Sequence, residues 1–165
     1  MDRQTDAPTP AFELRPIDGA LGEFLGPALA AIEPWSVIAW PASRLTAFLT
    51  ADDPALRRFA VMVGQTPAGV IAVRRPWLFG SYLQLLAVLP PHQGMGLGAK
   101  LLEWFETQAA PTDRWLWLCC STFNTRAAGF YQAHGYETAA TLSDLLMDGM
   151  NEFLMRKRAH DGAAR

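Results

Sequence analysis

Few residues in this chain combine a reactive type with a telling spacing. Gly94, Gly96 and Gly98 recur at every second position. They follow an apolar run, Leu83 to Leu89, that two prolines close, and they lead into a stretch with Leu101, Leu102, Phe105 and Ala109 on one helical face. Strand, glycine loop and helix together make an anion site. Glycine lets the main chain approach a phosphate closely, and the first N–H groups of the helix point at it with the positive end of the dipole behind them. Downstream, Asn124 can cap a helix that carries Ala127, Phe130, Tyr131 and His134 on one face, with Gly135 placed to end it. Tyr131 offers a phenol that could give up a proton; a packed core aromatic is the plainer use of the same residue. Cys119 and Cys120 are adjacent, so a bridge between them would close no useful loop, and burial as apolar residues suits them better than a covalent role. His92, His134 and His160 are scattered without ligand spacing, so no metal is expected.

The glycine loop admits several phosphate ligands. A nucleotide P-loop requires Gly-Lys-Ser/Thr, but Ala99 precedes Lys100 and Leu101 follows it, leaving no hydroxyl for magnesium. A dinucleotide fingerprint can be forced onto Gly94-x-Gly96-x-x-Ala99, yet Leu89 to Gln93 intervene where an immediate turn is needed. The next strand ends in Cys119-Cys120-Ser121, with no acid for a ribose.

Val88-x-Pro90 followed by Gln93-x-x-Gly96-x-Gly98 resembles the acyl-CoA signature of the GNAT superfamily of N-acetyltransferases. Asn124-x-x-Ala127-x-x-Phe130-Tyr131-x-x-x-Gly135-Tyr136 is similar to that superfamily's second conserved helix. The match spans about residues 82–137. The resemblance implies a mixed α/β fold with a central, mostly antiparallel sheet of about six to seven strands flanked by about four helices. It implies acetyl-CoA as co-substrate and an amine of a small molecule or peptide as acceptor, acetylated by direct transfer in a ternary complex. Leu86, Ala87 and Val88 would offer main-chain groups to the pantetheine arm, and Gln93, Gly94, Met95, Gly96, Leu97, Gly98 and Ala99 would hold the pyrophosphate. Asn124 would contact the cofactor arm, and Tyr131 would lie beside the thioester sulfur and protonate the departing thiolate. Two features depart from the pattern. The loop lacks a basic residue, so charge must be balanced by Lys100, Arg126 or main-chain N–H groups. Cys119 stands where one branch of the superfamily has a glutamate base, so no base is assigned. That missing base supports an alternative, a non-catalytic acyl-CoA-binding sensor or regulatory module.

The elements around these motifs follow from punctuation and period. Phe12 to Arg15 reads as an edge strand, and Asp18 to about Leu49 as two short helices with an irregular join carrying Trp35 and Trp40. Arg58 to Val63 and Gly69 to Arg74 read as a hairpin turning at Gln65–Gly69, with a second turn at Pro76–Gly80 leading into the strand at Tyr82. The helix after the glycine loop is expected to stop at Pro111. Arg114 to Cys120 reads as a central strand covered on both faces. Tyr136–Leu142 and Glu152–Lys157 close the sheet, joined by Leu145–Asn151. Trp35, Trp40 and Gln84 could face an acceptor, and Asp144, Asp148 and Glu152 could attract a cationic amine; packing and a solvated acidic loop are the plainer readings.

A chain of 165 residues, half of them hydrophobic, suits one domain, expected at 11–158 between a loose arm at 1–10 and a tail at 159–165. A formal net charge of −2 argues against a nucleic-acid partner. No apolar run reaches membrane-spanning length and the N-terminus lacks a signal core, so a cytoplasmic protein is expected. The oligomeric state stays open, a homodimer included.

Overall fold

The computed structural model describes residues 8–160. Most of the expected arm and tail therefore lies outside the described residues. The chain runs β1 (Glu13–Pro16), α1 (Gly19–Ala30), α2 (Ala42–Thr50), β2 (Leu56–Val63), β3 (Thr66–Trp77), β4 (Gly80–Val88), α3 (Leu97–Thr107), β5 (Trp115–Ser121), α4 (Thr125–Ala133), β6 (Glu137–Met147) and β7 (Met150–Arg158). The seven strands form one sheet in the order β1-β2-β3-β4-β5-β7-β6. Every neighbouring pair is antiparallel except β4 and β5. That parallel step forces the crossover that α3 supplies.

Local chemistry sets the helices. The Asp18 carboxylate accepts from Leu21 N–H at 2.8 Å and starts α1. Asn124 does the same for α4, accepting from Ala127 N–H at 3.1 Å. Gly135 ends α4 at φ 87°. Leu25, Leu29, Leu45 and Leu49 of α1 and α2 cover one sheet face over Ala60, Val70, Ala72, Leu85 and Ala87. Leu101, Leu102 and Phe105 of α3 and Tyr131 of α4 cover the other, over Val61, Ile71, Leu83, Leu116 and Leu118. β5 is thus covered on the α3–α4 side, whereas its other face, expected to be covered as well, carries the half-buried Trp115 and Cys119.

Several boundaries differ from the sequence reading. The first hairpin turns at Gly64–Gln65 alone, and Pro67 sits inside β3 at a bulge where Val61 pairs with Gly69 and Met62 with Pro67. A bulge hides the missing N–H of a proline that otherwise signals a turn. α3 ends at Thr107, before the proline expected to stop it. β6 runs on to Met147, so the last connection narrows to Asp148-Gly149, with Asp144 accepting from Gly149 N–H at 2.6 Å.

Two irregularities shape the centre. Val73 pairs with Leu83 and Ala72 with Leu85, which leaves Gln84 as an extra residue in β4. The β4–β5 ladder covers only Gly80–Leu83 against Trp115–Leu118. Beyond Leu83 and Leu118 the two strands share no ladder, so the main-chain groups of β4 on that side are unpaired by β5. The paired end is tied by Asp113, whose Oδ2 accepts from Arg75 at 2.6 Å, Ser81 Oγ at 2.8 Å and Ala110 N–H at 2.9 Å.

Candidate active site

The opening between β4 and β5 holds two cavities that meet. The first, about 680 Å³, runs along Leu86, Ala87 and Val88 to Gln93, Gly94, Gly96, Leu97, Gly98 and Ala99, with Asn124, Arg126, Phe130 and Tyr131 across from them. Its far end is a main-chain cradle. Gly94 and Gly96 hold φ of 76° and 79°, values a residue with a side chain resists. Gly96 begins α3 without a side-chain cap, so the first N–H groups of the helix stay free for an anion. Its near end is a strip of strand with one open edge, able to pair an extended ligand as an added strand.

The second cavity, about 410 Å³, lies at the other end of the opening. Trp35, Ile38, Trp40, Leu45 and Phe48 form one wall, from α2 and the join before it. Tyr82, Gln84, Cys119, Cys120, Ser121 and Glu152 form its floor, and Leu145 and Leu146 come from the last hairpin. The two cavities share Glu33, Trp35, Leu86, Asn124, Ala127 and Tyr131.

Comparison with known proteins agrees with this geometry. The family model for the acetyltransferase (GNAT) family matches residues 27–136. The chain belongs to the acetyltransferase (GNAT) family. No curated protein matches it by sequence. An acetyltransferase from Thermus thermophilus superposes with a TM-score of 0.72 at 21% identity, over 92% of this chain and 99% of that one. A spermidine N-acetyltransferase chimera of Vibrio cholerae SpeG and hSSAT gives 0.69 at 16% identity, over 90% and 95%. Arabidopsis thaliana NAA60, solved with a bisubstrate analogue, gives 0.66 at 14% identity, over 90% and 99%. The seven-stranded mixed sheet with four α-helices is the GNAT fold, and the family, whose members use acetyl-CoA as co-substrate, makes this chain an acyltransferase. No described helix is long and apolar enough to cross a membrane.

Within this GNAT frame, most residues singled out by motif line the first cavity. Met95 does not: its side chain is 46% exposed and lies outside the lining. Gln93 lines the cavity, but its amide donates to Val88 C=O at 2.9 Å and so is spent on shaping the loop. The charge question is also answered unevenly. Lys100 pairs with Glu103 at 2.9 Å and is not part of the cavity lining, whereas Arg126 and His92 line the cleft. Tyr131 is 9% exposed, its ring against Phe130 and Tyr136, and it borders both cavities. Burial, followed by the nearby Cys120, pushes its phenol well above the ordinary range, so it stays protonated.

The second cavity brings together residues that the sequence offers only as open alternatives, Trp35, Trp40, Gln84 and Glu152. Sequence alone groups Glu152 with Asp144 and Asp148 as acids that could attract a cationic amine, a solvated acidic loop being the plainer reading. Asp144 and Asp148 are exposed, but Glu152 is 4% exposed, directly opposite Ser121 in the β5–β7 ladder. Ser121 Oγ–H donates to its carboxylate. Burial raises the Glu152 carboxyl above its ordinary value, with the serine bond opposing. The only sequence signal is an acid directly ahead of the apolar pair Phe153 and Met155. Gln84 lines the cavity and also accepts from Arg74 at 2.8 Å, which in turn pairs with Asp53. Cys119, expected as a core residue, faces the cavity instead, while Cys120 packs into the core on the α3–α4 side. Burial raises both thiols, Cys120 to about 12, so neither is a ready nucleophile.

Proposed function

We propose that this protein acetylates an amine by direct transfer from acetyl-CoA in a ternary complex, with Tyr131 as general acid. The observation that carries the reading is the meeting of the two cavities at Tyr131 and Leu86. One cavity offers a strand edge and a glycine cradle suited to the pantetheine arm and pyrophosphate of CoA. The other brings an acceptor to the same point. The thioester would lie at the junction, its carbonyl oxygen within reach of the unpaired main-chain donors of β4. As the amine nitrogen forms a bond to the carbonyl carbon, the C–S bond breaks and the phenol of Tyr131 protonates the leaving thiolate. The Tyr131 proton is then restored from the new C–N nitrogen. Both cysteines remain as thiols, which favours direct attack over an acyl-enzyme. Holding both substrates in one opening supplies much of the rate. The two cysteines are unbridged, which suits the reducing cytoplasm where acetyl-CoA is made.

Tyr131→Phe tests the role. The variant should lower kcat about 100-fold, the low end of what a positioned acid contributes. It should leave the rise in Tm caused by acetyl-CoA intact. Undiminished kcat would remove Tyr131 from the chemistry, and no Tm response to millimolar acetyl-CoA in the wild type would remove the cofactor reading itself.

A further inference from the structure

Glu152 is a buried carboxyl whose one side-chain partner among the described residues is the hydroxyl of Ser121. No salt bridge among those residues reaches it. A carboxylate taken out of water without a cation is costly, so proteins pair such groups or let them keep a proton. The nearest titratable neighbours supply no positive charge. Tyr82 beside it is pushed far up by burial and then by Cys119 and Glu152, so it stays neutral, and Cys119 and Cys120 stay neutral thiols. The missing cation has a place to come from, because Glu152 lines the second cavity.

The rest of that cavity limits what can bring the charge. Trp35, Ile38, Trp40, Leu45 and Phe48 are apolar. The other charged lining residues are Glu33 and Arg44, and both are exposed. Arg44 lies over the Trp40 ring at 3.9 Å, so a second cation reaching that wall would meet a guanidinium. Glu33 at the rim borders both cavities and remains in solvent, where a carboxylate attracts weakly.

Resting on the acetyltransferase reading above, we infer that the acceptor is a primary amine with one positive charge on an apolar, aromatic body, and that Glu152 seats its ammonium and then takes its proton. The balance closes. The ammonium gives one proton to the Glu152 carboxylate and becomes a neutral nucleophile. The C–N bond forms, the C–S bond breaks, and Tyr131 protonates the thiolate and regains a proton from the acylated nitrogen. Glu152 then returns its proton to solvent. The products are the amide, CoA and one proton. The same arrangement disfavours a polyamine, whose further ammonium groups would meet the Arg44 guanidinium that already covers the Trp40 ring.

The test compares 2-phenylethylamine, hexylamine, spermidine and a short peptide with a free N-terminus, using acetyl-CoA and the full chain. The expected result is kcat/KM for 2-phenylethylamine at least about tenfold above spermidine and the peptide, the difference a desolvated single charge can make. Glu152→Gln should keep the acetyl-CoA Tm shift and lose about 100-fold in kcat/KM for 2-phenylethylamine at pH 7. In the wild type, kcat/KM should rise with pH through a carboxyl limb above the ordinary 4.5. Glu152→Gln removes that limb. Ser121→Ala, which deletes the bond that favours the charged form, moves it to higher pH. Faster turnover of spermidine or peptide, or an unchanged limb in both variants, overturns this inference while leaving acetyl-CoA binding in place. A wild type that ignores acetyl-CoA brings down the acetyltransferase reading first.

Discussion

The two halves of the opening between β4 and β5 are built by different means. The proposed cofactor side is made of main chain: an unpaired strand edge from Leu86 to Val88, a glycine loop, and the first turn of α3. The acceptor side is made of side chains drawn from α2 and its preceding join, β4, β5 and β7. A site made of backbone needs particular residues only where the backbone must bend or come close. A site made of side chains changes with every substitution in its walls. The first kind of site tolerates substitution away from its turns, and the second kind does not.

The sharpest way to break that contrast is at Gly96. A valine there would have to hold φ near 79°, and its Cβ would meet Thr9 Oγ1 at 2.6 Å. Backbone strain of up to about 3 kcal/mol is expected, enough to weaken acetyl-CoA about 100-fold by calorimetry. Gly98→Ala is the control. Its Cβ would meet only the Phe130 ring at 3.7 Å, ordinary contact, so most of the affinity should remain. Equal losses in both variants would mean that side-chain volume, not main-chain shape, governs this cavity.

The same contrast explains what could be read from sequence. Glycine spacing, the prolines before it and the Asn124 cap are contiguous signals, and the residues they single out line one cavity, apart from Met95. The order of elements along the chain and the mixed sheet followed from hairpins and crossovers, whereas the place of β7 between β5 and β6 had no local signal. Pro67 misled because a bulge can hide a proline within a strand. The sequence offers Glu152 as an acid that could attract an amine, but its burial apart from Asp144 and Asp148 was illegible for another reason. It becomes part of the site only because β7 pairs Glu152 with Ser121 and because β4 and β5 part beyond Leu83 and Leu118. Neither fact has a local signature. Trp35 and Trp40 had equal claims as core and as wall until α2 was placed.

Between the two regions in expected effect stands the tie at the closed end. Asp113 joins β3, β4 and the end of α3 through Arg75, Ser81 and Ala110, and touches neither cavity. Burial would raise its carboxyl, but the Ala110 N–H, Ser81 and Arg75 together hold it below the ordinary 3.8. A group depressed on folding adds stability above its unfolded value and loses it as pH falls through the folded one. Asp113→Ala should thus cost about 2 kcal/mol in urea at pH 7, and the gap to wild type should close below pH 3.8. Cofactor and acceptor affinities should fall together if they fall at all, since the tie holds the strands that carry both. A loss confined to one side would show that the halves are braced separately.

The smallest effect tests whether the walls are separable. Trp40 lines the acceptor cavity alone, whereas Trp35 borders both. Trp40→Ala removes an aromatic surface and frees Arg44 from its ring, so KM for the amine should rise about tenfold, the measure of one truncated aromatic contact. Acetyl-CoA affinity should not change. Trp35→Ala should weaken both ligands, because Trp35 borders both cavities. Steady-state KM for the amine and calorimetric Kd for acetyl-CoA, measured on both variants, separate the cases. If Trp40→Ala also weakens the cofactor, the join before α2 moves as a unit over the opening, and the acceptor wall is not an independent surface.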